Sequence, residues 1–469
     1  MERITKPNVR EIIEDFAREI SSRQTRGPRP TKAVIDFRNE RRDGKERDVL
    51  YVPIELLRYR KDNGRISSDV LHYEKNQRLL HERRDKAQEI IESFLSEKDE
   101  KKTEELTDSI KHEGQRDPAI ITCDGFLING NRRKMVLESL LKKYPGDQRF
   151  QLMKVVILPG KGEEGGPPTL LQIEQIENRY QLQSDGKAEY YAFDKAISVR
   201  RKINLGMRLE EQLRDDPVYA GKDEKKFQES VRKFEADYLQ PLRCIDRYLE
   251  YLGREGLYST VSKGLGDPEG RWQAFLDYYK FVYRRLSDER KRSNLGIRED
   301  QVGDIEDVAF KIIRMRELRE LPGLTKVHQV MRQFPKWLGE EDSRNELLQL
   351  LDVDLKLSES ERVDAEGKEH DHGDLDSIWR RKNRELIIRQ IKRAMDSFEH
   401  RRERETPKAL LEAALKKLNH ACMNTKTVRH SDIPKAMQLT KRIQKRASEI
   451  ESELYRHDKE LKKLNRRVK

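Results

Sequence analysis

Cysteine is scarce in this chain, with three among 469 residues. Cys123, Cys244 and Cys422 stand far apart and form no Cys-x-x-Cys pair. That spacing argues against a disulfide framework or a zinc site and suggests a reducing cytoplasm. Long apolar runs are also missing: none approaches the roughly 18 residues that a membrane span needs. The opening segment "MERITKPNVREIIEDFAREI" is charged and amphipathic, unlike a signal peptide. No internal repeat is visible. With 35% hydrophobic and 39% charged residues, the composition fits a soluble, largely helical protein with long solvated faces. The length allows two or three domains with real cores.

The net charge of +12 is unevenly spread. From Asp376 to the end there are about 27 Lys and Arg against about 13 Asp and Glu, so the rest is close to neutral. A concentrated basic segment attracts polyanions by counterion release, and nucleic acid is the usual one. A helical face that only keeps the protein soluble is the plainer alternative.

Six segments follow from the patterning. Residues 1–47 hold a helix and a Gly/Pro linker, "QTRGPRPTK". Residues 48–183 read as a small α/β unit. Its strands are "RDVLYVPIELLRY", "DPAIITC" and "QLMKVVILPG". Its helices include "RRKMVLESLLKKY", with Met135, Val136, Leu140 and Leu141 inward, and "TLLQIEQIENRYQLQ". Residues 184–255 are helical. There "DEKKFQESVRKF", "ADYLQ" and "PLRCIDRYLEYLG" have the spacing of helix, short turn, helix. This predicts a helix-turn-helix in which Phe227, Val231 and Phe234 pack on Leu242, Ile245 and Leu249. An ordinary αα-hairpin is the alternative. Residues 256–355 suggest a helical bundle with Trp272, Phe275, Tyr278, Tyr279, Phe281 and Trp337 as core. Residues 356–375 form an acidic linker whose "HDH", His370 to His372, has no second ligand cluster and reads as solvated chain. Residues 376–469 form a basic helical tail. Ile443, Ala447, Ile450, Leu454, His457, Leu461, Leu464 and Val468 mark a heptad seam there. The seam can support a homodimer, although its shortness favours a hairpin with the preceding helix.

The chemistry concentrates in "DGFLINGNRRKMVLESL", which places Arg132 and Arg133 at the mouth of a helix. Gly130 can take positive φ and let a ligand approach the backbone. The free amides and dipole of the helix start, with two guanidinium forks beside them, suit a phosphate. Downstream, Glu174 and Glu177 share a helix face next to Asn178. Two carboxylates and an amide oxygen near a phosphate would suit Mg²⁺. Earlier, Arg60 and Arg65 flank an Asp-Asn-Gly turn. Each piece alone is as readily an ordinary surface feature.

Taken in order, these motifs resemble the N-terminal domain of the ParB/sulfiredoxin-like family. "ELTDSIKHEGQRDPAIIT" is similar to the family's helix-strand segment. Gly130, Asn131, Arg132 and Arg133 stand at its Gly-x-Arg-Arg motif. "VVIL" is followed by Ile176, Glu177 and Asn178 at its Ile-Glu-Asn motif. The resemblance covers about Val49 to Gly253. It implies an α+β N-terminal domain followed by a helix-turn-helix; the mostly helical region beyond and the basic helical tail are read from the patterning alone and have no counterpart in the family. It further implies a nucleoside triphosphate, CTP or ATP, on Gly130, Arg132 and Arg133, with Arg60 or Arg65 as the first-motif arginine. Mg²⁺ would lie near Glu177 and Asn178. The chain departs from the family at Asn131, where a Glu is usual. Asn cannot act as a general base, which argues against efficient turnover. No Cys occupies the sulfiredoxin position.

The expectation is thus a ParB-like DNA-binding protein, with a nucleotide switch coupled to DNA contacts from Arg243 and Arg247 in the second helix and from Arg380 and Arg381 in the tail. Plasmid partition or a mobile-element role would be consistent with it. A metal-dependent nuclease or phosphotransferase with Glu174 and Glu177 as metal ligands is one alternative, and a non-catalytic adaptor is another.

Overall fold

The computed structural model describes residues 9–35, 37–38, 45–98, 100–182, 191–262, 271–364, 366–420 and 423–467. The chain divides into two compact units, the first ending at Phe398 and the second beginning at Glu399. Most of both is helical, with one small mixed sheet near the N-terminus.

The sheet is built from β1 (Thr25–Ala33), β2 (Arg47–Pro53), β3 (Ala119–Ile121) and β4 (Leu152–Ile157), in the order β1-β2-β4-β3. β1 and β2 are antiparallel, as are β2 and β4, while β3 runs parallel to β4. Side chains alternate across the strands with period two, so β2, β3 and β4 each feed two cores. Ala119, Ile121, Met153 and Val155 enter one apolar cluster, together with Val136, Leu137 and Leu140. Ile120, Val156 and Leu158 enter another, with Ile173 and Ile176. The sheet is therefore covered on both faces. Helix α1 (Glu14–Arg23) contributes Ile20 to the first cluster.

Four helices matter for the site. α2 (Glu100–Glu113) precedes β3, α3 (Asn131–Lys143) crosses between β3 and β4, α4 (Leu170–Leu182) follows β4, and α5 (Ala192–Asn204) comes next. In α3, Met135, Val136 and Leu140 are buried as their spacing predicts, whereas Leu141 is only partly so and Leu137 takes a core position.

The sequence gives no sign of β1, which occupies the presumed Gly/Pro linker. Its pairing with β2 shifts register between Arg26 and Thr31, around Gly27, Pro28 and Pro30. Prolines cannot donate to a ladder, so a bulged edge strand is where they can sit.

The helix-turn-helix expectation is overturned. The segments Glu224–Phe234, Glu235–Leu239 and Gln240–Tyr251 follow one another without a turn, and the middle one is a π-helix. Pro241 has no N–H to give back along the helix, and its ring crowds the carbonyl of the turn below. A wider π turn keeps the rod continuous at that point. The expected packing is absent too. Phe227, Val231 and Phe234 join Val199 and Leu213, while Leu242, Ile245 and Leu249 join the large helical core. A second π-helix, Tyr278–Tyr283, lies in that core, and Lys280 meets Asp237 at 2.6 Å.

The boundary expected at 375/376 also moves. The helix His372–Leu418 begins inside the first unit, where Trp379, Ile387, Ile391 and Ala394 are buried. Trp379 Nε1 donates to Asp354 O at 2.7 Å. The acidic stretch before it folds back on itself, with Val363 bridged to Glu369 and Glu361 paired with Lys382. In the second unit, the helix Ile433–Arg467 leaves Ile443 and Leu454 about half exposed, so those seam positions do not pack as a hairpin would require. Leu461, Leu464 and Val468 lie outside the described side chains. Among the described residues no helix is long and apolar enough to cross a membrane.

Candidate functional site

Between β3 and α3 the chain doubles back on itself. Gly125 takes φ 84° in the turn, and its N–H donates to Thr122 O at 2.9 Å. Leu127 then bridges antiparallel to Ile121, and Ile128 N–H donates to Ile120 O at 2.8 Å. This return brings Gly130 against Ala119, at the start of β3. Gly130 adopts φ 90°, ψ 8° as the N-cap of α3. A Cβ there would sit 2.7 Å from Ala119 Cβ, so glycine is required by both backbone and space.

The start of α3 opens into a cavity of about 730 Å³. Gly130, Asn131, Arg132 and Arg133 all line it, joined by Arg65 and Asn63 from the turn that follows β2. Six cationic side chains face the cavity (Arg65, Lys98, Lys102, Arg116, Arg132 and Arg133) against the carboxylates of Glu105 and Asp117. Lys98 is balanced by Asp69 and Asp194 at 2.9 and 3.0 Å, and Arg116 pairs with Glu113. Arg133 donates to the carbonyl of Asp117 and to Asn129 Oδ1. Burial holds its pKa below the usual arginine range, against the pull of Asp117. Asn131 is buried, and its Oδ1 has no hydrogen-bond partner. The arrangement favours an anion that also offers a donor.

Arg60, Glu174, Glu177 and Asn178 form a second, separate construction, and none of them lines the cavity. All four are almost fully buried. Arg60 donates to Glu174 Oε1 at 2.9 Å and to Glu177 Oε2 at 3.4 Å. Arg201, from α5, reaches Glu174 Oε2 at 2.6 Å. Glu177 Oε1 accepts the N–H of Gly64 at 2.9 Å. Asn178 accepts from Lys202 Nζ at 3.1 Å and donates to Gln212 O at 3.0 Å. Burial and the neighbouring Glu177 push the Glu174 carboxyl above its ordinary range, against the pull of Arg201 and Arg60. The two glutamates raise the Arg60 pKa against its burial, whereas burial lowers that of Lys202.

This donor set does not fit Mg²⁺. The three groups expected as metal ligands are engaged by the buried Arg60 and Lys202 and the partly buried Arg201, and a divalent ion among them would meet repulsion. Among the described residues, no group of three or more His, Cys, Asp or Glu side chains is placed to hold a metal. The expected bridge from phosphate through metal to Glu177 is therefore not what the residues build. They clamp the Asp-Asn-Gly turn onto α4, which positions Arg65 at the cavity.

Of the arginines expected at DNA, Arg243 and Arg381 are exposed. Arg247 is tied to Glu306. Arg380 is partly buried, and its NH2 donates to Ser377 Oγ at 2.8 Å. Lys98, Lys102 and Arg116 were missed as cavity residues. Lys102 lies on helix α2, and Lys98 and Arg116 lie in the charged segments flanking it, where only the fold distinguishes a lining cation from a solvated one.

No family model, curated protein or solved structure matches this chain.

Proposed function

We propose that the N-terminal α+β region is a receptor for a nucleoside triphosphate, CTP or ATP, in a ParB-like protein that acts on DNA. The observation that carries the reading is the cavity at the start of α3, with Arg65, Arg132 and Arg133 converging beside the helix amides. The phosphates would lie against those arginines and Gly130. Any Mg²⁺ would travel on the phosphate oxygens, because the buried glutamates are already engaged by cations. Asn131 supplies no general base, which favours binding over turnover. The basic surplus after Asp376 supports non-specific contact with the DNA backbone. The exposed apolar positions Ile443 and Leu454 support a homodimer through that helix. The metal-dependent nuclease reading has less support, since its proposed ligands form the Arg60 network.

The test is equilibrium binding of CTP, ATP and GTP with Mg²⁺, with and without DNA, for wild type and Arg132→Ala. The expected result is that one nucleotide binds and that the variant loses at least tenfold in affinity. If no nucleotide binds, the reading fails and the adaptor alternative takes its place.

A further inference from the structure

A second basic constellation lies within the helical part of the first unit; of its residues the sequence had singled out only Arg380, as a DNA contact. Five arginines gather around one carboxylate. Asp376 is fully buried and accepts from Arg254 NH1 at 3.1 Å and Arg314 Nε at 3.0 Å, with Arg271 NH2 at 3.7 Å. Arg316 and Arg380 complete the group without a carboxylate partner among the described residues. Arg271 and Arg316 even share one acceptor, the carbonyl of Thr260, at 2.6 and 3.2 Å. Two guanidiniums on one oxygen repel each other, and Asp376, 3.7 Å from Arg271, offsets that repulsion only in part.

The unused donors point the same way. Arg271 is buried and its Nε has no partner. Arg316 Nε and Arg380 NH1 are also buried without one. Three guanidinium donors from three separate segments are left unsatisfied in one neighbourhood, where Ser262 Oγ and His372 Nδ1 are unpaired as well. Native interiors rarely leave such groups unpaired without a reason. Arg316 takes a positive φ of 65°, which a non-glycine residue seldom adopts. Burial, with Arg271 and Arg380 beside it, brings its pKa down to about 10.

We infer that this cluster is a binding site for a compact phosphate-bearing anion of small-molecule size, with Arg271, Arg316 and Arg380 as its ligands and Asp376 as the fixed counter-charge that spaces the arginines. Guanidinium forks suit the multiple acceptor oxygens of a di- or triphosphate group. Arg254, Arg271 and Arg314 are buried, whereas Arg316 and Arg380 reach solvent, so an anion meets the last two first. With three of the five arginines buried, the cluster suits a terminal phosphate group and not the continuous backbone of a duplex. It is independent of the cavity at α3, with which it shares no residue.

The probe is inorganic pyrophosphate, titrated calorimetrically into the full-length protein at constant ionic strength. Wild type, Arg132→Ala and Arg316→Gln/Arg380→Gln are compared, with circular dichroism to check the fold. The expected result is a binding event kept in Arg132→Ala and weakened at least tenfold in the double variant. The pyrophosphate-induced rise in Tm should disappear with it. Because the glutamines relieve repulsion, the double variant alone should melt no lower than wild type. Should it fail to fold, Arg380→Gln alone carries the same comparison, as that side chain is only partly buried. Affinity unchanged in the cluster variants, or no binding by wild type, overturns the assignment. Loss in Arg132→Ala alone would also overturn it and would place the anion in the α3 cavity.

Discussion

Replacing Arg60 with methionine separates the two meanings that Glu174 and Glu177 could have. The substitution keeps an apolar stem and removes the cation that touches both carboxylates, at 2.9 and 3.4 Å. Breaking a buried ion pair by removing one partner costs about 3–5 kcal/mol. Arg201 still holds Glu174, and the Gly64 amide still holds Glu177. The lower end, about 3 kcal/mol, is therefore expected. At about 2 °C per kcal/mol, Tm should fall by roughly 6 °C in a thermal melt at pH 7. The pH dependence has a definite sign. Without Arg60, the Glu174 carboxyl, already held above its ordinary range, rises further, so the folded variant binds more protons than its unfolded chain just above the ordinary carboxylate range. The variant's deficit should then shrink as pH is lowered from 7 toward 5. Millimolar Mg²⁺ should not restore the melt. If Mg²⁺ brings Tm back to that of wild type while leaving wild type unmoved, the carboxylates form a metal site and the clamp reading is refuted. A loss under about 1 kcal/mol would mean that the network carries little stability.

Two further outcomes follow from the same region. Gly130→Ala combines a positive-φ cost of about 1–2 kcal/mol with an overlap at Ala119. The shift in the denaturant midpoint should correspond to about 2–4 kcal/mol once overpacking is included. A change within about 0.5 kcal/mol would show that the helix start relaxes easily. Burial, with Asp124 and Glu163 nearby, pushes the Cys123 thiol up to about 11. Its alkylation by iodoacetamide at pH 8 should be about a hundredfold slower than that of an ordinary thiol with pKa near 8.5, and should climb steadily toward pH 11. A rate that levels off near pH 8 would contradict this assignment.

The strands β3 and β4 and the helix α3 were legible because short apolar runs and a 3.6-residue spacing survive in a charged chain. The basic start of α3 was legible for a local reason: Gly130 and both arginines are neighbours in sequence. Arg65 lines the same cavity as these three residues. What failed was nonlocal or ambiguous. Arg60 lies more than a hundred residues from Glu174, and sequence spacing cannot tell a carboxylate waiting for a metal from one holding an arginine. Pro241 and "ADYLQ" before it look like a turn, and only the packed structure shows a π turn carrying the helix through. The arginines around Asp376 come from four separate stretches between Arg254 and Arg380, so no window of sequence contains the cluster. β1 was hidden because its Gly and Pro content is that of a loop, and its place at a sheet edge is what makes it tolerable.

The unbroken rod from Glu224 to Tyr251 has a consequence for cooperativity. One end plants Phe227, Val231 and Phe234 in a small core, and the other plants Leu242, Ile245 and Leu249 in the large one. Tyr238, in the π turn between them, touches both clusters. A straight α-helix would keep one stripe in phase along its whole length. The π turn shifts that phase, so a single helix can serve two cores whose surfaces are not aligned. A loop at this point would have let the small core open on its own. A continuous hydrogen-bonded beam links its loss to strain in the larger core, so the two melt as one unit.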